Sequence, residues 1–451
     1  MLDRVSKVSL TMAVAVGMIL FTLPGFGQQP AQNWKDRAEY DLYTAIAKEQ
    51  DPAKRLPLLN SWKEKYPTSD FAALRQDVFV QTYAALRQPD KVIAAGNEAL
   101  QANPKDLTAL YLMALNVQLL SKPSADDLAA GEKAANGILS NLDTFFGADK
   151  KPATTPDAAW TQAKTQAETL AHTTLGWVAL QKKDDENAEK ELTKALQLSP
   201  NGSTSTGAPV DSAQISSWLG TAIAHEAIAQ KKPERYPEAL FQFARAASLD
   251  QAQGGYPAAG RQPFDTYFVN AFNRYHGQDA PELAKLRELA KAQPFPPQGW
   301  TLDDVNTAKA KKDADFQKSN PGLALWTNLK EALTGADGQQ YFDTNMKGAD
   351  VPGGAGGLQT LKGKLISSKP ALHPKELVLS IGDGTTPDVT LHVDAPLPGK
   401  ADAGVEIEFS GQPASFTKAP FMITFDVEKK KIVGWPGKDA PVRHRAAKKS
   451  E

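Results

Sequence analysis

Two different hydrophobic periods divide this chain. From about residue 36 to residue 292 apolar positions recur at steps of three and four, the spacing of a helix face. From residue 358 to residue 435 they alternate with polar positions, the spacing of strands with one buried side. The helical part also repeats itself. Steps of 4, 3 and 5 join Ala188, Leu192, Ala195 and Pro200, then Val92, Gly96, Ala99 and Pro104, then Arg55, Leu59, Trp62 and Pro67. Twelve residues upstream of each first member stand Gly176, Val80 and Tyr43. Looser copies run through Ala130, Ala134 and Gly137, and through Ala239, Phe243 and Ala246, without the proline.

Steps of 4 and 3 place three residues on one helical face, and small residues there let a partner helix come close. A proline five positions on ends the helix, because it lacks the N–H and disfavours helix in the residue before it. The spacing therefore predicts helical hairpins over 36–69, 73–106, 107–143, 158–202 and 210–250. A further pair is expected over 264–277 and 280–292, with Gly277 as its internal stop. GADKKPATTPD (147–157) and NGSTSTGAP (201–209) read as loops, and QPFPPQGW (293–300) closes the helical array with three prolines.

TTLGWVALQKKDDENAEKELTKALQLSP resembles a tetratricopeptide repeat (TPR). The family's 34-residue pattern wants small residues at its eighth, twentieth and twenty-seventh positions and proline at its thirty-second. Gly176, Ala188, Ala195 and Pro200 supply those four. The 73–106 copy departs with Val80 and Val92, and the 36–69 copy with Tyr43, Arg55 and Trp62. A HEAT-like hairpin array is the alternative. DPAKRLPLLNSWKEKYP, RYHGQDAPELAKLRELAKAQPFPP and LWTNLKEALTG with GQQYF also resemble segments of uncharacterised secreted bacterial TPR proteins. The resemblance implies a superhelix whose concave groove is lined by the first helix of each pair. Carried over by position, the lining is Tyr40 and Thr44, Asp77 and Gln81, Tyr111 and Leu115, Thr173 and Trp177. Tyr111 and Trp177 are the expected anchors for a protein or peptide partner, since aromatics dominate binding hot spots. The paired Lys/Asn set of chaperone-tail-binding members is missing from these positions.

Residues 301–354 read as a helical connector ending in the glycine-rich hinge VPGGAGG. Residues 355–436 hold five to six alternating segments, LQTLKGKLIS, ELVLSIG, DVTLHVD, GVEIEFSG and FMITFDVEKKKIVGW, separated by turn signals. The expected fold class is thus multidomain: an all-α TPR-like helical-hairpin solenoid over 28–300, followed by a small all-β domain, an OB-like barrel or a sandwich.

The N-terminus changes the picture of location. Arg4 and Lys7 precede an apolar run of 16 residues, Val8 to Leu23, which Pro24 breaks. At about 1.5 Å per residue the run is too short to cross a bilayer, and with small residues at Gly25 and Gly27 it reads as a signal peptide over 1–27. The expected product is exported, periplasmic or secreted, starting at Gln28. The tail over 437–451 is basic and expected to be disordered. It and an uncleaved signal anchor are the only membrane contacts expected.

Composition mainly excludes. Cysteine is absent, which removes disulfides, thiolate metal sites, cysteine nucleophiles and lipoprotein acylation. Lys plus Arg number 51 and Asp plus Glu 52, a net charge of −1, and no nucleic-acid partner is expected. The six histidines form no HExxH, and neither a phosphate loop nor a GxSxG elbow occurs. His392 and Asp394, at i and i+2 of an expected strand, are the one pair that could share a metal or support chemistry in the β domain. Half-exposed strand polarity is the simpler reading. Asp383 and Asp388 flank a turn and are expected to bind its backbone. The expectation is a non-enzymatic adaptor with no cofactor and no metal. The alternatives are a ligand-binding or enzymatic β domain, or a repeat array serving as its spacer.

Overall fold

The computed structural model describes residues 34–200 and 212–438. The signal segment, the 201–209 loop and the tail beyond Lys438 lie outside the described residues. The chain divides after Val305 into two compact units.

The first unit is a run of antiparallel helix pairs: α1 (Arg37–Lys48) with α2 (Pro52–Lys65), α3 (Ala72–Ala85) with α4 (Pro89–Ala102), and α5 (Leu107–Val117) with α6 (Ala125–Ser140). After the short α7 (Leu142–Phe146) come α8 (Asp157–Lys182) with α9 (Asp185–Leu198), α10 (Ser212–Ala229) with α11 (Tyr236–Ser248), and α12 (Ala258–Tyr275) with α13 (Ala280–Ala292). Acidic or hydroxyl caps start many of them. Asp36, Asp51, Asp106, Asp184 and Asp279 each accept a backbone N–H of the helix they precede, and Ser124 forms a capping box with Asp127. Inside the α8–α9 pair, Ala188, Leu192 and Ala195 are fully buried, and a Cβ on Gly176 would lie 2.5 Å from Leu192 Cγ. The small residue of the repeat signature is thus required by helix contact. In the α10–α11 pair Gly220 takes that role against Phe243.

Buried Arg245 of α11 closes the end of the array. Its guanidinium donates to Ala290 O at 3.0 Å and Gln293 O at 2.9 Å, and also to Pro200 O. It thereby caps carbonyls after α9 and at the end of α13, a favourable place for a cation. Burial pulls its pKa down to about 10. At the other end, Trp34, Tyr43, Trp62 and Phe71 form an aromatic cluster, with Trp34 stacked on Phe71 at 3.8 Å between ring centroids. The bulky Tyr43 and Trp62, which break the repeat signature, are members of this cluster.

In the second unit α14 (Val305–Ser319) is followed by α15 (Pro321–Thr334) and α16 (Gly338–Tyr341). The strands are β1 (Leu361–Lys369), β2 (Glu376–Ser380), β3 (Val389–Val393), β4 (Glu406–Phe409), β5 (Gln412–Lys418), β6 (Phe421–Val427) and β7 (Ile432–Val433). They form one seven-stranded sheet in the order β5-β6-β3-β2-β1-β4-β7, with β3 and β6 parallel and the other pairs antiparallel. The order begins at β5 and has β4 next to its other end, yet only Ser410 and Gly411 join β4 to β5. A link that short cannot cross a flat sheet, so the mixed sheet curls back towards closure, in keeping with the expected small OB-like barrel. Phe409 and Phe425 are fully buried in its core, with Phe416 and Trp435 against its margin.

The connector expected over 301–354 is corrected by the packing. Trp326, Leu329 and Leu333 of α15, with Phe342 and Met346, share one core with Leu361, Leu379, Leu391 and Ile423 of the sheet. Only α14 behaves as a connector: every residue from Lys309 to Asn320 is exposed. Among the described residues no helix is long and apolar enough to cross a membrane.

Candidate functional site

The eight groove positions do not share one environment. Tyr40 on α1 is 40% exposed, edge-on to Trp34, with the Arg37 guanidinium 5.3 Å from its ring centre. Thr44, half-buried, turns its hydroxyl back to Tyr40 O at 2.9 Å. Gln81 on α3 is exposed, and Asp77 one turn earlier is half-buried. Tyr111 and Leu115 on α5 are also half-buried and pack against the array core. Burial pushes the Tyr111 phenol up to about 12, so it stays protonated.

Thr173 and Trp177 are corrected from groove lining to core. Thr173 has no exposure and donates to Thr169 O at 2.7 Å, and Trp177 is 5% exposed within the main hydrophobic cluster. The cause is that α8 packs between neighbouring first helices. Its Thr174 donates to Ala114 O of α5 at 3.0 Å and receives a bond from Gln118 at 2.8 Å. Trp177 is therefore unavailable as an anchor.

The most perturbed group of this face is Asp77. Burial, and then the adjoining Asp106 carboxyl, push its pKa up to about 8. Asp106 was not singled out from sequence, although Asp before the apolar LTALYL run is an N-cap signal. Its Oδ1 accepts Ala109 N–H at 3.0 Å. Perturbed acids gather at functional surfaces more often than elsewhere. Because the folded state holds this proton more tightly than an unfolded Asp, its contribution to stability is full below about pH 4. It declines as pH rises towards about 8 and levels off above that. Asp77→Asn is expected to raise thermal stability at pH 8 by on the order of 2 kcal/mol, discounted for partial exposure, with little change at pH 4. Denaturant melts at the two pH values check this.

In the sheet, His392 is 54% exposed in its side chain, 4.0 Å from Glu376 and 3.8 Å from Asp426 across neighbouring strands. Asp394 is not its partner. It accepts Lys429 N–H at 2.7 Å, tying β3's end to the turn after β6. The sequence-expected pair is thus not brought together, and no group of three His, Asp or Glu among the described residues is placed to hold a metal ion. Asp383 and Asp388 both bind turn backbone. Asp383 accepts the Thr386 hydroxyl and the amides of Thr385 and Thr386, which hold its carboxyl far below the usual range.

No family model matches this chain, and no curated protein matches it. Among solved structures it is similar to a thermophilic TPR protein of Thermus thermophilus, TTC0263, at 16% identity and a TM-score of 0.26. The match covers 52% of this chain and 96% of that one. A likeness at this level carries no argument. The TPR-like character of the array stands on its helix pairs and on the contacts of Gly176, Ala188, Leu192 and Ala195 described above.

Proposed function

We propose that this protein is an exported, non-catalytic scaffold that binds a protein or peptide partner along the first helices of its N-terminal hairpins. The observation that carries this reading is the placement of exposed Tyr40 and Gln81 at groove positions of the first and second repeats, with the perturbed Asp77 one turn from Gln81. An aromatic ring with adaptable polar neighbours suits a binding hot spot. Stacked hairpins offer an extended surface because each repeat is supported by its immediate neighbours.

The test uses the tagged full chain recovered from the envelope fraction of the cells that make it, where the mature protein is expected to begin at Gln28. Crosslinking and pull-down should recover a defined partner. The double variant Tyr40→Ala, Gln81→Arg should lose it by about tenfold or more at unchanged stability. Retention in the cytoplasm, or a partner bound equally by the double variant, would overturn the reading.

A further inference from the structure

Two carboxyl groups meet where the second repeat adjoins the third. Asp77 belongs to α3, and its Oδ1 is buried without a hydrogen-bond partner. Asp106 caps α5 and is fixed there by Ala109 N–H. The two side chains are within hydrogen-bonding reach of each other. Ionised carboxylates only accept, so a bond between them needs one proton. Asp106 already accepts Ala109 N–H at the start of α5, and burial raises the Asp77 carboxyl, so the proton is assigned to Asp77.

We propose that Asp77 and Asp106 form a proton-operated latch on the groove, tying α3 to the start of α5 when one proton is shared and parting the two repeats when it is lost. The inference rests on the groove reading above and adds its regulation. Opening breaks the Asp77 O–H bond, releases the proton to water, and leaves two facing carboxylates. The local charges are otherwise engaged. Lys63 of α2 pairs with Glu98 of α4 at 3.0 Å, and Lys91 of α4 lies over the Tyr83 ring. Arg75 on α3 itself donates to Tyr66 O, and Tyr111 of α5 stays neutral across the range. Asp106 is the one charge acting appreciably on Asp77 among the described residues.

The full-length chain can be titrated by following side-chain carboxyl carbon resonances and amide hydrogen exchange together. One aspartate is expected to titrate near pH 8 and to vanish in Asp77→Asn. Across the same interval, protection in α3 and α5 should fall about tenfold beyond the intrinsic rise of exchange with pH, and should hold steady in Asp77→Asn. Asp106→Asn supplies a second variant, expected to move the Asp77 midpoint down and to abolish the protection step. The latch is overturned if every carboxyl titrates below about pH 6, or if Asp77→Asn loses protection as the wild type does. No partner is needed, so failure here is distinguishable from failure of the binding reading.

Discussion

Asp388→Ala is expected to destabilise the C-terminal unit strongly while the stability of the helical array is unchanged. The buried Asp388 carboxylate accepts three N–H groups: Trp326 Nε1 at 2.9 Å, Ile381 N at 2.8 Å and Gly382 N at 3.1 Å. The first joins α15 to the sheet, and the other two shape the turn between β2 and β3. An alanine leaves all three donors without an acceptor, each at a cost of about 1–3 kcal/mol. The sum, on the order of 4 kcal/mol, is a large share of the stability of a domain this size. Calorimetry should show the C-terminal transition about 10–20 °C lower and the array transition unmoved. Asp388→Asn, which keeps an acceptor oxygen, should fall between. A uniform shift of both transitions would contradict the separation of the two cores.

Trp62→Ala is expected to have an effect of similar size at the opposite end. Trp62 is fully buried in the aromatic cluster, and its Nε1–H donates to Glu39 Oε1 at 2.9 Å. Burial pushes the Glu39 carboxyl up, but bonds from Ser69 and Trp62 bring it below the usual value. Truncation removes the indole, about 3–5 kcal/mol for such a side chain, and weakens the support of a buried anion. Because repeat arrays unfold in parts, the loss should be local. Hydrogen exchange should show α1 and α2 opening while α8 to α11 stay protected. Trp62→Phe should recover much of the packing but not the bond to Glu39.

What was legible in the sequence follows from how tightly backbone meets backbone. At Gly176 a side chain would strike Leu192, so the repeat signature survives there and the hairpin could be read directly. In the α10–α11 pair the contact glycine, Gly220, stands nineteen residues before Ala239 rather than twelve, because the helix and turn between them are longer. A fixed offset misses it. Strand β5 was also missed, since Pro413 and a register shift before Ser415 interrupt its alternation. α15 read as a connector because its amphipathic face does not say which surface it covers. The groove was legible by position only. Pattern placed Trp177 on the right helix but could not reveal that α8 is enclosed by its neighbours. The Asp77–Asp106 meeting joins two repeats, and no local spacing encodes it.

The sheet order has a consequence for synthesis. β6, among the last strands made, lies between β5 and β3, and β3 precedes it by some thirty residues. A growing chain can complete each helical hairpin soon after it emerges, because partner helices are consecutive. The sheet must wait until Val427 has been delivered, since until then β3 lacks its outer neighbour. Ribosomes stalled before that point should therefore carry a finished array and an open, aggregation-prone β2–β3 edge.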